Sequence, residues 1–302
     1  MTGRTVRVAT RSSPLARLQT GRVVARLEQL AGVGSVEVVA VETSGDLRTD
    51  VPISEIAGRG VFTTEVDAAV LGGRADLAVH SAKDLPSANL PAGLWFAAVA
   101  ERGDPRDALV GNTLAGLAPG ASIATGAPRR RVQLSAARGD LTFISLRGNI
   151  ATRLAKVPTG GAVVVALVAL ERLELVGAVS EVLATSVVLP QVGQGAIALT
   201  CRDGDATALE LAAAIDDAVA HRAVLAERAF LARLGGGCDA PVGAHATVAA
   251  DGSLAIEAMI AGPDGRIYRR AATGADPTAT GTALAEAMLQ EDGAAAFVPP
   301  VG

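Results

Sequence analysis

The stretch Thr5-Val6-Arg7-Val8-Ala9-Thr10-Arg11-Ser12-Ser13-Pro14-Leu15 decides how the N-terminal half is read. Thr5–Thr10 is a short run of β-branched and small residues, the pattern of a buried strand. A helix is predicted from Leu15 to about Ala31, with Ser13 at its N-cap and Pro14 at its first position, where the fixed φ and missing N–H of proline are tolerated. A strand that feeds a helix N-terminus through a polar turn leaves backbone N–H groups unpaired there, a natural anion site. Arg11 stands in that turn, as either a solvated cation or a ligand for a carboxylate.

Outward from this unit the alternation continues. Val36–Glu42 reads as a second strand. A long loop from Thr43-Ser44-Gly45-Asp46 through Gly58-Arg59-Gly60 then leads to Phe62 and a helix over Thr64–Leu71, which stops at Gly72-Gly73 as a C-terminal glycine predicts. A loop of that length in a compact domain suits a functional cover. Leu77-Ala78-Val79-His80 is a third strand, ending in Ser81-Ala82-Lys83-Asp84-Leu85-Pro86. Strands alternating with helices imply a parallel α/β sheet, whose ligands lie beyond the carboxyl ends of its strands. Lys83 and Asp84 sit at such an end. An Asp there serves as a general acid or base when its surroundings tune it, or simply closes a loop salt bridge. His80 is read as a packed strand residue.

Leu94–Ala100 is a further strand, and Glu101–Asp107 a polar segment suited to a hinge. A second series follows: strand Ser122–Ala124, turn Thr125-Gly126-Ala127-Pro128, helix Arg129–Arg138, strand Thr142–Ser145, turn Arg147-Gly148-Asn149, a helix to about Lys156, a strand at Ala162–Ala166, and a helix near Leu170–Leu175. Arg129 and Arg130 fall in a helix's first turn, where the macrodipole disfavours cations by a few tenths to ~1 kcal/mol. Arg147 and Arg153 flank the next helix start. Cations at successive helix N-termini are explained if they face one anionic ligand, for which the planar fork of Arg is well shaped. Thr185–Leu189 reads as a strand, and Ile197–Cys201 as one returning to the first domain, with Cys201 as inert core.

Helices around Ala208–Ile215 and Asp217–Leu234 deliver the chain to Leu234-Gly235-Gly236-Gly237-Cys238-Asp239-Ala240-Pro241-Val242-Gly243. Locally this is either a tight turn with a small filler thiol or a loop that holds one thiol in open space. Three strands follow, Val242–Val248, Leu254–Ala261 and Arg266–Ala272, joined through Asp251-Gly252 and Asp264-Gly265, which are strong hairpin signals. A helix over about Thr282–Gln290 covers one face of this antiparallel sheet.

The chain has 302 residues, enough for two or three domains, and half of them are apolar with only 2% aromatic, so Ala, Val and Leu build the cores. Its longest fully apolar run, Ala162–Leu170, is far short of the roughly 18–20 residues that span a bilayer. No apolar segment follows a basic start at the N-terminus, and a cytoplasmic protein is expected. A net charge of −4 argues against general nucleic-acid binding, and two cysteines without a CxxC spacing argue against a disulfide framework or zinc site. Only Lys83 and Lys156 accompany 25 arginines.

The chain resembles the porphobilinogen deaminase, or hydroxymethylbilane synthase, family over nearly its whole length. The matching pieces are Arg7–Ala16, His80–Pro86, Asp104-Pro105-Arg106-Asp107-Ala108, Ser145–Asn149 with Thr152-Arg153-Leu154, Leu189-Pro190 through Gly193-Gln194-Gly195-Ala196, and Gly236-Gly237-Cys238 with Ala240–Gly243. All of them occur in family order. The resemblance implies two periplasmic-binding-protein-like α/β domains around a cleft plus a small C-terminal α+β domain with a three-stranded antiparallel sheet. The boundaries expected are residues 1–100 with 196–216, 101–195, and 217–302. It further implies a cytoplasmic monomer of heme and tetrapyrrole biosynthesis, with neither nucleic acid nor membrane as partner. Such a transferase condenses four porphobilinogen molecules head to tail into hydroxymethylbilane, with loss of ammonia, on a dipyrromethane primer. Cys238 matches the residue that carries the primer as a thioether, and Asp84 the catalytic carboxylate. Ser13, Lys83, Thr125, Arg129, Arg130 and Arg147 match cofactor contacts. Arg11, Ser81, Arg153 and Arg172 match substrate contacts, with Phe62 placed to stack on a pyrrole. The chain departs from the family pattern at Gly126-Ala127, where two serines are usual, and at Gly161, Ala169 and Thr200, in place of Asp, Gly and Glu. A two-domain anion receptor would share the α/β pattern, but the cysteine loop of the third domain counts against it.

Overall fold

A computed structural model describes residues 3–47, 62–86, 90–235, 241–262, 264–291 and 294. Most of the long loop before Phe62, including Gly58–Gly60, and the segment with Cys238 lie outside the described residues. In chain order the first elements are β1 (Arg4–Arg11), α1 (Pro14–Leu27), β2 (Val33–Val41), α2 (Ser44–Leu47), α3 (Thr64–Leu71), β3 (Leu77–Ser81) and β4 (Leu94–Arg102). There follow β5 (Asp107–Val110), β6 (Ser122–Ala124), α4 (Pro128–Ala137), β7 (Thr142–Ile144), α5 (Ile150–Leu154), β8 (Ala162–Ala166), α6 (Leu167–Arg172) and β9 (Val179–Val182). The last are β10 (Ala196–Arg202), α7 (Ala206–Ala214), α8 (Ala218–Leu234), β11 (Val242–Val248), β12 (Leu254–Ala261), β13 (Ile267–Gly274) and α9 (Pro277–Gln290). The chain divides into two compact units, Met1–Arg102 with Ala196–His221, and Gly103–Gly195 with Arg222–Gly302.

The first unit is built on a five-stranded sheet in the order β2-β1-β3-β10-β4. β1 runs parallel to both β2 and β3, as the strand–helix alternation predicts. β10 runs antiparallel to β3 and β4, so the sheet is mixed and not all parallel. The reason is connectivity. β4 ends at Arg102, β10 begins at Ala196, and these two residues are paired, so the returning strand must run the opposite way. Side chains alternate between the two faces. Val6, Val8, Leu77 and Val79 pack with Val23 and Leu27 of α1 and Ala208 of α7, while Ala9 and Ala78 pack with Val66, Ala69 and Val70 of α3.

The second unit holds two sheets. One has the order β7-β6-β8-β5-β9. Every residue of β8 is buried, as expected for a central strand covered on both faces. Ala162 and Val164 face one core, Val163 and Val165 the other. β5 was not expected: its residues follow the polar Glu101–Arg106 run, and its pairing is entirely with the distant β8 and β9. Thr185–Leu189, expected as a strand, is a turn, in which the N–H groups of Val187 and Val188 both donate to the Ala184 carbonyl at 2.9 and 3.0 Å. Its buried residues are Val188 and Leu189, which are covered by packing, Val188 with Leu134 and Leu189 with Met259, and not by a strand ladder.

The other sheet is the expected three-stranded antiparallel β11-β12-β13. Its buried face, with Ala244, Ile256 and Ala258, packs against Phe230 and Leu234 of α8 and Leu284 and Met288 of α9. Glu227 of α8 is fully buried and accepts hydrogen bonds from the Gly193 N–H at 2.7 Å and the Ala246 N–H at 2.8 Å. It therefore ties three separate segments of this unit. α8 and α9 approach so closely that a Cβ on Gly281 would stand 2.1 Å from the Ala226 carbonyl oxygen. Gly281→Ala is expected to destabilise this unit by ~1–3 kcal/mol through overpacking, visible as a lower melting temperature. An unchanged melting temperature would show that the two helices separate freely.

Candidate functional site

The parallel pairing of β1 and β3 puts their carboxyl ends side by side in the first unit. β1 ends at Arg11 and passes through Ser12 to Ser13, the extended N-cap of α1, whose hydroxyl makes no capping bond. β3 ends at Ser81 and turns through a single 3-10 turn, Ala82–Asp84. Arg11 Nη1 lies 3.5 Å from Asp84 Oδ2, and both side chains are half-buried. The Arg11 guanidinium also lies over the Phe62 ring, 4.3 Å from its centroid, a cation–π contact that orients the charge. The Ser81 hydroxyl is 3.0 Å from the Gln19 amide nitrogen, and Lys83 is half-buried in the turn. Arg11, Phe62 and Asp84 thus form one connected group. The ring face expected to stack on a pyrrole has Arg11 over it.

His80 is buried, as its strand pattern predicts, with Nε2 3.2 Å from the Thr200 hydroxyl. Burial, and after it the positive charge of Arg11, lower its pKa to about 3, so the imidazole is neutral. Cys201 is likewise buried in β10, and burial raises its thiol to about 11.

In the second unit α4 starts at Pro128 after Thr125-Gly126-Ala127. Arg129 and Arg130, in its first turn, are only 3% and 5% exposed. The anion they face is in the first place the protein's own: Arg129 Nη2 donates to Asp107 Oδ2 at 2.8 Å and Arg130 Nη2 to Asp107 Oδ1 at 2.7 Å. Gln194 Nε2 adds a bond to Asp107 Oδ1 at 2.9 Å. Arg129 also donates to the Leu189 carbonyl, and Arg130 to that of Val164 at 3.1 Å. Burial pushes the Asp107 carboxyl up, but Arg130 and Arg129 together bring it well below the usual carboxylate range. Burial pulls the Arg129 guanidinium down, with Asp107 opposing and Arg130 adding to the fall.

One carboxylate against two guanidiniums leaves an excess positive charge in a buried site, which is costly without a further anion. The Nε atoms of Arg129 and Arg130, and Nη1 of Arg147, are buried with no hydrogen-bond partner among the described residues. This donor set fits a group bearing several carboxylates. Thr125 is buried and its hydroxyl accepts from the Ala127 N–H at 3.2 Å. Arg153 Nε donates to the Gly148 carbonyl and Arg172 Nη2 to the Gly195 carbonyl, both at 2.8 Å. Cys238 lies outside the described residues; α8 runs to Leu234 before it, and after it the Pro241 carbonyl accepts from Ala261 N–H at 3.0 Å. Asp107 and Gln194 appear in the sequence motifs without an assigned role. Their part in the arginine cluster follows only from β5 and the segment Leu189–Gly195 meeting α4.

Among the described residues no helix is long and apolar enough to cross a membrane, and no group of three His, Cys, Asp or Glu is placed to hold a metal. The fold defines the class: an α/β protein with a C-terminal α+β segment, whose polar turns at strand ends are where such sheets take small ligands. Residues 6–210 match the family model described as porphobilinogen deaminase, dipyromethane cofactor binding domain, and residues 221–290 match the porphobilinogen deaminase C-terminal domain. A porphobilinogen deaminase of Roseiflexus sp. (strain RS-1) is 46% identical over 298 residues, covering 96% of this chain and 98% of the relative. The Brevibacillus brevis enzyme is 42% identical, covering 94% of each chain. Similar solved structures include the Salmonella typhimurium periplasmic binding protein STM4351, at 15% identity and a TM-score of 0.37 over 70% of this chain and 92% of that one. The chain belongs to the porphobilinogen deaminase family. It is accordingly a transferase of tetrapyrrole synthesis with porphobilinogen as substrate, and its larger matched region is the family's dipyrromethane cofactor-binding domain.

The Asp107 cluster yields a direct expectation. Asp107→Ala strands two buried guanidiniums and should cost ~3–5 kcal/mol of stability. In the parent chain the carboxyl is held below its unfolded value, so its contribution is full above the ordinary range near 4 and is lost as pH falls below it. Denaturant titrations at neutral and acid pH check this: the difference between parent and variant should shrink in acid.

Proposed function

We propose that this chain condenses four porphobilinogen molecules head to tail into hydroxymethylbilane, releasing ammonia, with Asp84 as the catalytic carboxylate and Cys238 as the covalent anchor of the dipyrromethane. The observation that carries the reading is the half-buried Arg11–Asp84 pair at the joined ends of two parallel strands. A carboxylate there can accept the substrate's ammonium by hydrogen bond and offset the positive charge that grows on the pyrrole as ammonia leaves. Arg11 keeps Asp84 oriented and takes a substrate carboxylate in turn. Ser81 and Phe62 line the same turn, and Ser13 and Lys83 are assigned to the cofactor.

The dipyrromethane, when bound, supplies the free pyrrole carbon from which the product grows. Arg129, Arg130, Arg147 and Thr125 would hold its acetate and propionate groups. The excess positive charge of the Asp107 cluster and the free buried Nε atoms support that assignment. Arg153 and Arg172 serve the carboxylates added with each substrate. Charge-assisted bonds of ~1.5–3 kcal/mol each hold such groups without reacting with them. The same reading divides the chain into 1–100 with 196–216, 101–195, and 217–302, and each of the three sheets having its own core supports it. It takes the protein as a cytoplasmic monomer that uses neither nucleic acid nor membrane; the net charge of −4 supports the exclusion of nucleic acid.

Intact-mass measurement of protein made in a host that supplies porphobilinogen tests the anchor. The parent should carry a covalent dipyrromethane adduct and Cys238→Ala none; an unmodified parent would count decisively against the reading. Asp84→Ala should fold normally, shown by an unaltered circular dichroism spectrum, and consume porphobilinogen at least ~100-fold more slowly. Turnover at the parent rate would remove Asp84 from the mechanism.

A further inference from the structure

The three-stranded sheet has a second face, made by the residues that alternate with those packed on α8 and α9. Gly243 of β11, Met259 of β12 and Arg269 of β13 are paired in one row across it. Each meets the α4 region of the same compact unit in a different way. Met259 packs on Leu189, with Val132 of α4 beside them. Arg269 Nη2 donates to Gln133 Oε1 at 2.7 Å, and its Nη1 reaches the Thr185 carbonyl and Glu257, both at 3.3 Å. Gly243 comes closest. A Cβ there would stand 2.9 Å from the Pro190 carbonyl oxygen, 3.0 Å from that of Leu189 and 3.2 Å from Cδ of Arg129. The next residue, Ala244, donates its N–H to the Pro190 carbonyl at 3.0 Å.

Gln133, on α4, is only 2% exposed, and its amide has both donors and both acceptor sites filled. Nε2 donates to the Arg129 carbonyl at 3.1 Å and to the Leu189 carbonyl at 3.2 Å. Oε1 accepts from the Leu189 N–H at 2.8 Å and from Arg269. The amide thus holds Leu189 by both its backbone groups, which only a side chain that donates and accepts at once can do. The Leu189 carbonyl in turn accepts from Arg129 Nη1, while Asp107 Oδ2 takes Nη2 at 2.8 Å. A planar guanidinium fixed at two nitrogens has the direction of its third fixed as well. That third is the Nε–H, buried without a hydrogen-bond partner among the described residues.

We propose that Gln133 and Gly243 are positioning residues for Arg129, and that together they set the direction in which its Nε–H meets a cofactor carboxylate. This rests on the assignment of Arg129 to the dipyrromethane given above. Gln133 fixes the Leu189 carbonyl, and that carbonyl fixes the guanidinium. Gly243, having no side chain, lets the sheet settle on the Arg129 stem and on the same carbonyl. β11 is the strand that follows the cysteine segment in the chain. The sheet that begins after the covalent anchor therefore also braces the cation that receives the anchored group. Displacing a binding group by about 1 Å can cost ~100-fold in rate, so bonds that never touch the ligand bear on its attachment.

The test uses unloaded protein, made in a host without porphobilinogen and then mixed with it, and intact mass follows the rate at which the dipyrromethane adduct appears. Gln133→Leu, close in size but without the amide, should slow that rate about tenfold or more. Gly243→Ala should slow it as well, since its Cβ must displace the Leu189 and Pro190 carbonyls or the Arg129 stem. Arg269→Leu, at a partly exposed position, should slow it several-fold, and it decides the matter if Gln133→Leu does not fold. A cycle with Arg129→Leu separates positioning from a purely structural role. Once Arg129 is absent, Gln133→Leu should slow attachment by less than about twofold more, whereas independent effects multiply. Parent-like rates in Gln133→Leu or in Arg269→Leu, or full multiplication in the double variant, would overturn the proposal. A parent that gains no adduct ends the anchor reading and this proposal with it. A parent that gains the adduct beside variants that match its rate ends this proposal alone.

Discussion

The fully buried carboxylate of Asp107 organises the second unit, because two segments distant from it in sequence satisfy it together. Arg129 and Arg130 reach it from the first turn of α4, and Gln194 from the segment before β10. A cation in the first turn of a helix opposes the macrodipole, and burying it adds a desolvation cost that an isolated guanidinium could not bear. Asp107 offsets both, and the Leu189 and Val164 carbonyls take further donors from the same two side chains. The pairing is deliberately incomplete in charge. Two guanidiniums against one carboxylate hold β5, α4 and the Leu189–Gly195 segment together while leaving the site positive.

The first unit solves a different problem. Its site depends on backbone direction: only because β1 and β3 are parallel neighbours do Arg11 and Asp84 finish at the same edge. The Phe62 ring, just before α3, lies against the Arg11 guanidinium, and on α3 itself the buried Asp67 faces His80 at 3.6 Å. The two units use their buried acids in opposite ways. Asp107 is fully satisfied and held far below the ordinary carboxylate range, whereas Asp67 is poorly satisfied and held above it. The first contributes to stability and the second detracts from it, because ion-pair partners favour a charged carboxylate and burial without them disfavours it.

Where local pattern and burial agreed, the reading of the chain matched its fold. Val242–Val248 and Leu254–Ala261 are strands with the expected bounds, because alternating residues there meet a single helix-covered face and Asp251-Gly252 sets the turn. Ser13 and Pro14 begin α1 as their conformational preferences require. Thr185–Leu189 is not a strand, since Val188 and Leu189 are buried by side-chain packing and not by a ladder. β5 carries little local strand signal, because its pairing with β8 and β9 is wholly long-range and the residues before it are polar. The antiparallel run of β10 was likewise invisible, for it follows from a return of the chain after about a hundred residues and not from any local feature.

The sequence by itself determined the α/β class, the existence of a separate antiparallel C-terminal sheet, and the family, because hydrophobic period, turn residues and motif order are properties of neighbouring residues. It also pointed to Arg11, Asp84, Arg129 and Arg130 as residues worth locating. Only the tertiary structure decided which charges meet. That Arg129 and Arg130 are anchored on Asp107, that Phe62 is covered by Arg11, and that Asp67 meets His80 all depend on strand order and helix placement. The physical reason is range: a propensity acts over a few residues, whereas a buried charge is satisfied by whatever the fold brings within about 4 Å of it.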